Sequence, residues 1–256
     1  MNPAFDYLPM NARRMIPIVA ITFVLVMSFL FSCNKNYPIP DEISKAQALM
    51  LERPDSALLI LEGLKGVEHL PAKLKATYNL CLIEARDKNY IVHTSDSLIN
   101  TVVAFFEYED DSLMKAKAYY YQGRVNKDLQ NSEKAAFAFK KAETFVNETS
   151  DYRLKALICT QMGGVFHYQR LFNDAIVWHE NAKDALLLAG DSVSISYILR
   201  DIASAYSNLK EYDKSLSLFN DAYKVADANN QLSVASNILY DIALMYIQRQ
   251  MQDSVI

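Results

Sequence analysis

The sequence predicts an all-α chain built as a solenoid of helical hairpins, and three observations carry that prediction. Residue types recur at a fixed interval: Gly163 and Ala203 stand 40 residues apart, as do Phe166 and Tyr206, Ala175 and Ser215, His179 and Phe219, and Ala182 and Ala222. A period of this size marks a stack of like units, each covering its neighbour's apolar face. Helix breakers are scarce, with 6 Gly and 7 Pro among 256 residues and no proline after Pro71. Apolar residues also fall at helical spacing, as in Ile195, Leu199, Ile202, Ala203 and Tyr206, and again in Leu216, Phe219, Ala222, Tyr223 and Ala226.

The chain opens on an address. Arg13 and Arg14 precede an uncharged, mostly apolar run over 15–31, followed by Ser32 and Cys33. A basic start, an apolar middle and a small residue before a cut site read as a secretory signal over residues 1–32. Leu30-Phe31-Ser32-Cys33 resembles a bacterial lipobox, which implies that Cys33 is lipidated and becomes the new N-terminus. The alternative is an uncleaved anchor, whose 17 residues lie at the bottom of the spanning range and whose Pro17 weakens the first turn. Residues 33–40 then form a short, proline-stiffened tether. Either reading places the remainder outside the cytoplasm, in the periplasm or at the outer membrane of a Gram-negative bacterium.

Formal net charge is −4, and it becomes −5 once residues 1–32, with Arg13, Arg14 and Asp6, are removed. An acidic chain without basic runs is a poor electrostatic partner for nucleic acid. Cys81 and Cys159 both sit in apolar helical patterns. An oxidising compartment permits a disulfide between them, but their setting favours buried free thiols packed as small core residues.

In order, residues 41–111 form two divergent hairpins and 112–256 the regular repeats, the last one truncated. Ala57, Leu98, Ala135, Ala175, Ser215 and Val255, taken as equivalent, give spacings of 41, 37, 40, 40 and 40. Pro54-Asp55-Ser56, Ser95-Asp96-Ser97 and Asp253-Ser254 mark helix starts. In the fifth unit a first helix is expected over 192–209, a turn over 210–212 and a second helix over 213–228. Gly190-Asp191 and Asn229-Asn230 supply breaks between units, because Gly and Asn tolerate the left-handed conformation that ends a helix. Gly123, Gly163, Ala203 and Ala243 would let the two helices of a unit approach closely, and Ala142, Ala182 and Ala222 would do the same between units. The sequence stops as the sixth second helix should begin, so a fragment, or a last helix covered by a partner, is expected.

These columns resemble the tetratricopeptide repeat. The fifth unit matches the family pattern at Ala203, Tyr206, Ser215, Phe219 and Ala222. The fourth matches at Gly163, Phe166, Ala175, His179 and Ala182, with His179 in an aromatic column. The third has Gly123, Ala135, Phe139 and Ala142 but departs at Asn126. The resemblance implies a right-handed α-solenoid whose first helices line a concave groove that takes peptides or protein segments. Its 40-residue period exceeds the family's usual 34 or so, so the helices should be longer.

No catalytic constellation emerges, and neither an enzyme nor a cofactor is expected. His69, His93, His167 and His179 show no metal-ligand spacing. Gly163-Gly164 lies mid-helix with no strand before it, so it is no phosphate loop, and Glu107 to Asp111 lacks calcium-loop spacing. Projecting the register instead gives a candidate groove face. It comprises Lys117, Tyr120, Arg124 and Lys127 in unit three, and Thr160, His167 and Tyr168 in unit four. Unit five adds Tyr197, Arg200, Ser204 and Asn208, and unit six adds Asn237, Tyr240 and Gln248. Tyr and Arg on a concave face suit recognition of an extended segment. The expected function is a non-enzymatic, lipid-anchored scaffold for a protein or peptide. The alternatives are a truncated sensor arm of a longer membrane-bound signalling or transcription regulator, and a glycan-capturing outer-membrane lipoprotein.

Overall fold

The structure, a computed structural model, describes residues 41–253, with side chains to residue 250. The leader, the tether and Cys33 lie outside the described residues. Every regular element among them is helical. Two short helices, α1 (Asp41–Leu49) and α2 (Pro54–Glu62), lead through a 3-10 turn at Val67–His69 into α3 (Ala72–Lys88) and α4 (Ser97–Phe106). Then follow α5 (Ser112–Asp128), α6 (Ser132–Val146), α7 (Tyr152–Tyr168) and α8 (Phe172–Leu188). The chain continues as α9 (Ile195–Asn208), α10 (Tyr212–Ala228) and α11 (Leu232–Asp253). None of these helices is long and apolar enough to cross a membrane.

The helices pair as the period requires: α5 packs along α6, α7 along α8 and α9 along α10. The small column explains the closeness within a pair. A Cβ on Gly123 would lie 2.3 Å from the Phe139 ring, and one on Gly163 would lie 2.5 Å from the His179 ring. Between pairs, Ala142, Ala182 and Ala222 are wholly buried. The apolar interior is a series of clusters and not a single nucleus. One joins α1, α2 and α3, the next runs from α3 to α7, a third spans α7 to α9, and the last spans α9 to α11. Cohesion therefore passes from neighbour to neighbour. Cys81 and Cys159 are free, buried thiols within these clusters, and burial pushes both up to about 11.

The turns repeat as faithfully as the core. Tyr90, Gln130, Arg170 and Lys210, spaced by 40, all adopt the left-handed conformation, with φ of 58–66°. Behind them Asn131 N–H bonds the Asn126 carbonyl, Leu171 the Phe166 carbonyl and Glu211 the Tyr206 carbonyl, at 2.8–3.0 Å. This six-to-one bond closes the helix end in a Schellman turn. Gly190 and Asn230 do the same between units, at φ 67° and 56°. Helix starts are also periodic. The carboxylates of Asp111, Asp151 and Asp191 accept from the backbone N–H of Met114, Leu154 and Ser194 at 2.9–3.1 Å. Asp191 also accepts from the Ser194 hydroxyl, and α9 accordingly starts at Ile195 and not at 192.

The expected turn at the end of the sixth first helix is replaced by continuing helix. Gln250 occupies the column of Gln130, Arg170 and Lys210, yet α11 runs on to Asp253. A left-handed residue costs about 1–2 kcal/mol unless the folded-back helix compensates by packing. Among the described residues nothing packs behind α11. Ala243 and Tyr246 are consequently exposed, where their equivalents Ala203 and Tyr206 are buried and half-buried.

Candidate partner-binding groove

On α7 the residues Leu157, Thr160, Gly164 and Tyr168 follow at intervals of 3, 4 and 4, which puts them on one stripe of the helix. A cavity lies at each end of that stripe. The one at the start of α7, of about 310 Å³, is bounded by Leu157 and Thr160, by Tyr197 and Ile198 of α9, and by Leu51 and Lys88 from the first two hairpins. The one at its end, of about 530 Å³, is bounded by Gly164 and Tyr168 of α7, by Lys127 of α5, and by Gln130 and Ser132 at the start of α6. Gly164 lies open between them: a Cβ there would meet nothing within 4 Å.

Around this stripe the first helices are laced together by polar side chains. The Arg124 guanidinium binds the Asp87 carboxylate at 2.9–3.0 Å, tying α5 to α3. Arg200 binds Asp241 at 2.6 Å, tying α9 to α11. Lys127 donates to the Gln161 amide oxygen at 2.7 Å, and Ser207 donates to Gln248 at 3.3 Å. Burial shifts several of these groups. Desolvation raises Asp87 above the usual carboxylate range although Arg124 pulls it down, and desolvation lowers Lys127. Asp201, on α9 beside Arg200, is pushed up to about 6 by desolvation.

The projected residues thus sort into three groups. Tyr168, Tyr197, Asn237 and Tyr240 stand exposed, with Tyr168 at 83% and Tyr240 at 63% of full accessibility. Arg124, Lys127, Arg200 and Gln248 hold neighbouring helices, as just described, and Asn208 donates to the Ser204 carbonyl of its own helix. Lys117 is half-buried, and the Thr160 hydroxyl bonds the Ala156 carbonyl. The His167 ring meets Phe172 edge-on at 5.2 Å, and burial lowers its proton affinity.

Tyr120 is a correction. It is 3% exposed, with its ring against Tyr121 and Phe139 and its hydroxyl under the influence of Glu84 and Asp87 of α3. Ala76, Leu80 and Ile83 of α3 belong to the same buried apolar cluster.

Leu157 was missed, although it shares a column with Lys117, Tyr197 and Asn237, and Gly164 was missed likewise beside Ser204. The register alone would have found both. Leu51, Lys88 and Arg153 had no periodic signal. Among the described residues no group of three or more His, Cys, Asp or Glu could hold a metal ion.

No protein-family model matches the sequence, and no curated protein matches it. Solved structures do match. The apo form of RapI superposes with a TM-score of 0.69 at 12% identity over 83% of this chain. A signal transduction ATPase with numerous domains and a tetratricopeptide repeat sensor, from Pyrococcus horikoshii, gives 0.67 at 14% identity over 80%. The fold is that of a tetratricopeptide-like solenoid. A Rap protein complexed with competence and sporulation factor gives 0.64 at 14% identity over 82% of this chain. Nearly identical tetratricopeptide-like repeats of a kinesin light chain from Podosopora anserina give 0.56 at 12%. The chain spans 61% of the RapI structure, 32% of the ATPase and 60% of the Rap complex.

Proposed function

We propose that this chain is a non-enzymatic, lipid-anchored repeat scaffold that holds an extended peptide or protein segment along α7. The observation that carries this reading is the open stripe Leu157–Thr160–Gly164–Tyr168 with a cavity at either end. Eleven residues of helix span about 16 Å, the length of roughly five residues of extended chain. Exposed tyrosines at 168, 197 and 240 supply rigid contact area along the same side. The complex of a Rap protein with competence and sporulation factor supports recognition of a partner by this fold.

Lipidation of Cys33 and display outside the cytoplasm complete the proposal, on the strength of the basic–apolar–small–Cys pattern of residues 13–33. A sensor arm of a longer regulator is the second reading. It is favoured by the similarity to an ATPase whose tetratricopeptide segment is described as a sensor.

Gly164→Trp tests the groove, because its Cβ would stand in open space at the edge of the cavity and its ring would fill part of it, and Gly164→Ala controls for the backbone. Crosslinked capture from membranes should be lost with Trp and kept with Ala, and capture that survives Trp refutes the site. For the anchor, Cys33→Ser should abolish incorporation of labelled palmitate and release the chain from the membrane pellet. Continued labelling would refute lipidation at that residue.

A further inference from the structure

The cavity at the start of α7 has a chemistry of its own. Its walls are mainly apolar, from Leu51, Leu157, Tyr197 and Ile198, and the first three of these are exposed. Two cations stand at it, Lys88 at the end of α3 and Arg153 in the first turn of α7. Neither forms an ion pair or a hydrogen bond to another side chain among the described residues. This distinguishes them from Arg124 and Arg200, whose guanidinium groups are already held by carboxylates. Among the described residues one acid lines the cavity, Asp191, whose two oxygens accept from the N–H and hydroxyl of Ser194, so that two positive charges stand there against one negative. Two uncommitted cations beside an apolar recess, on a chain of net charge −4, form a local electrostatic exception.

We infer that this cavity is the anchor point for an acidic partner segment, one apolar side chain entering the recess while flanking Asp or Glu residues meet Lys88 and Arg153. The inference rests on the groove reading above and names what that groove selects. The volume of about 310 Å³ is at the small end of ligand cavities, which suits one Leu-, Ile- or Phe-sized side chain and not a folded domain. Charge then sets the partner's sign: basic segments are repelled by the same pair that attracts acidic ones. Because Leu51 and Lys88 belong to the first two hairpins and Leu157 and Tyr197 to the fourth and fifth, the occupant touches both sides of the groove at once.

Random heptapeptides displayed on phage, panned against the full chain held in lipid nanodiscs, test this. The enriched sequences should place Asp or Glu within two residues of a large apolar residue. Fluorescein-labelled copies should bind Lys88→Glu/Arg153→Glu at least tenfold more weakly by anisotropy, and Leu51→Ser should weaken them as well. Copies with Lys in place of the acids should bind the charge-reversed variant better than the wild type. Unchanged helical circular dichroism of each variant shows that folding is intact. Enriched peptides without acids, or peptides indifferent to charge reversal yet blocked by Gly164→Trp, overturn the inference and leave the groove standing. No enrichment at all, or binding indifferent to every variant, overturns both.

Discussion

Gly163 and Gly164 are adjacent on one helix, and the structure assigns their alanine variants opposite effects. Replacing glycine by alanine in a helix interior stabilises by about 1 kcal/mol through backbone entropy, and this gain applies to both positions. Gly164 adds nothing against it, since its new methyl meets open space. At Gly163 the methyl would lie 2.5–2.7 Å from three atoms of the His179 imidazole. The ring is 2% exposed and packed in the aromatic column, so it must move by close to an ångström within a filled interior. Such overpacking costs about 1–3 kcal/mol, and occasionally more where the neighbour is held on all sides. Gly164→Ala should therefore be about 1 kcal/mol more stable than wild type, and Gly163→Ala less stable by up to about 2 kcal/mol.

Urea unfolding followed by circular dichroism reads the two midpoints, with an unchanged slope showing that cooperativity is retained. Removing the ring should rescue the clash, so Gly163→Ala should cost less in a His179→Ala background than in wild type. Equal shifts for the two alanines, or no coupling to His179, would refute the close approach of α7 and α8 that the whole stack depends on.

Further outcomes follow from buried groups and from the ion pairs beside them. His179 is lowered to about 4 by burial, so its contribution is complete above its ordinary value of 6.5 and is lost as pH falls toward 4, by up to roughly 3 kcal/mol. Asp201 is raised from 3.8 to about 6, so its contribution is present at low pH and lost as pH rises through 6. Relative to wild type, His179→Phe should gain stability steadily as pH drops from 6.5 to 4, and Asp201→Asn should gain as pH rises from 4 to 6; differences independent of pH contradict these assignments. At neutral pH His179→Phe should also stabilise by about 1 kcal/mol or more, because the His179 Nδ1 is buried without a partner and unit three already seats Phe139 against Gly123; a lower urea midpoint would count against this. Arg124→Ala should lower stability by about 1–3 kcal/mol by stranding the half-buried Asp87, whereas Arg153→Ala should change it by less than about 0.5 kcal/mol, both read from urea midpoints.

The fold was legible because packing imposes its own spelling. A helix pair closed on an aromatic ring needs a small residue opposite, and Gly123 with Phe139 and Gly163 with His179 show that need at the fixed interval. The breaks between units at Gly190 and Asn230 were legible, but the turns within units were not, since their left-handed positions carry Gln130, Arg170 and Lys210 and not glycine or asparagine. There the six-to-one hydrogen bond and the returning helix hold a conformation that local preference disfavours.

The groove was half legible. Register places a residue on a face but does not reveal whether a charge there is already paired, as at Arg124 and Arg200, or whether the ring there is buried in the core, as at Tyr120. Cavities shared by hairpins far apart in the chain, such as the one that Leu51 lines together with Leu157 and Tyr197, leave no mark in the spacing.

That shared cavity has a mechanical side. A stack joined only between adjacent hairpins behaves as a spring, stretched by small adjustments at every joint. The recess lined by Leu51 and Tyr197 brings the first and fifth hairpins to one cavity. A molecule lodged there would bridge the early and late hairpins, so its arrival would register as a stiffer chain under tension applied between α1 and α11.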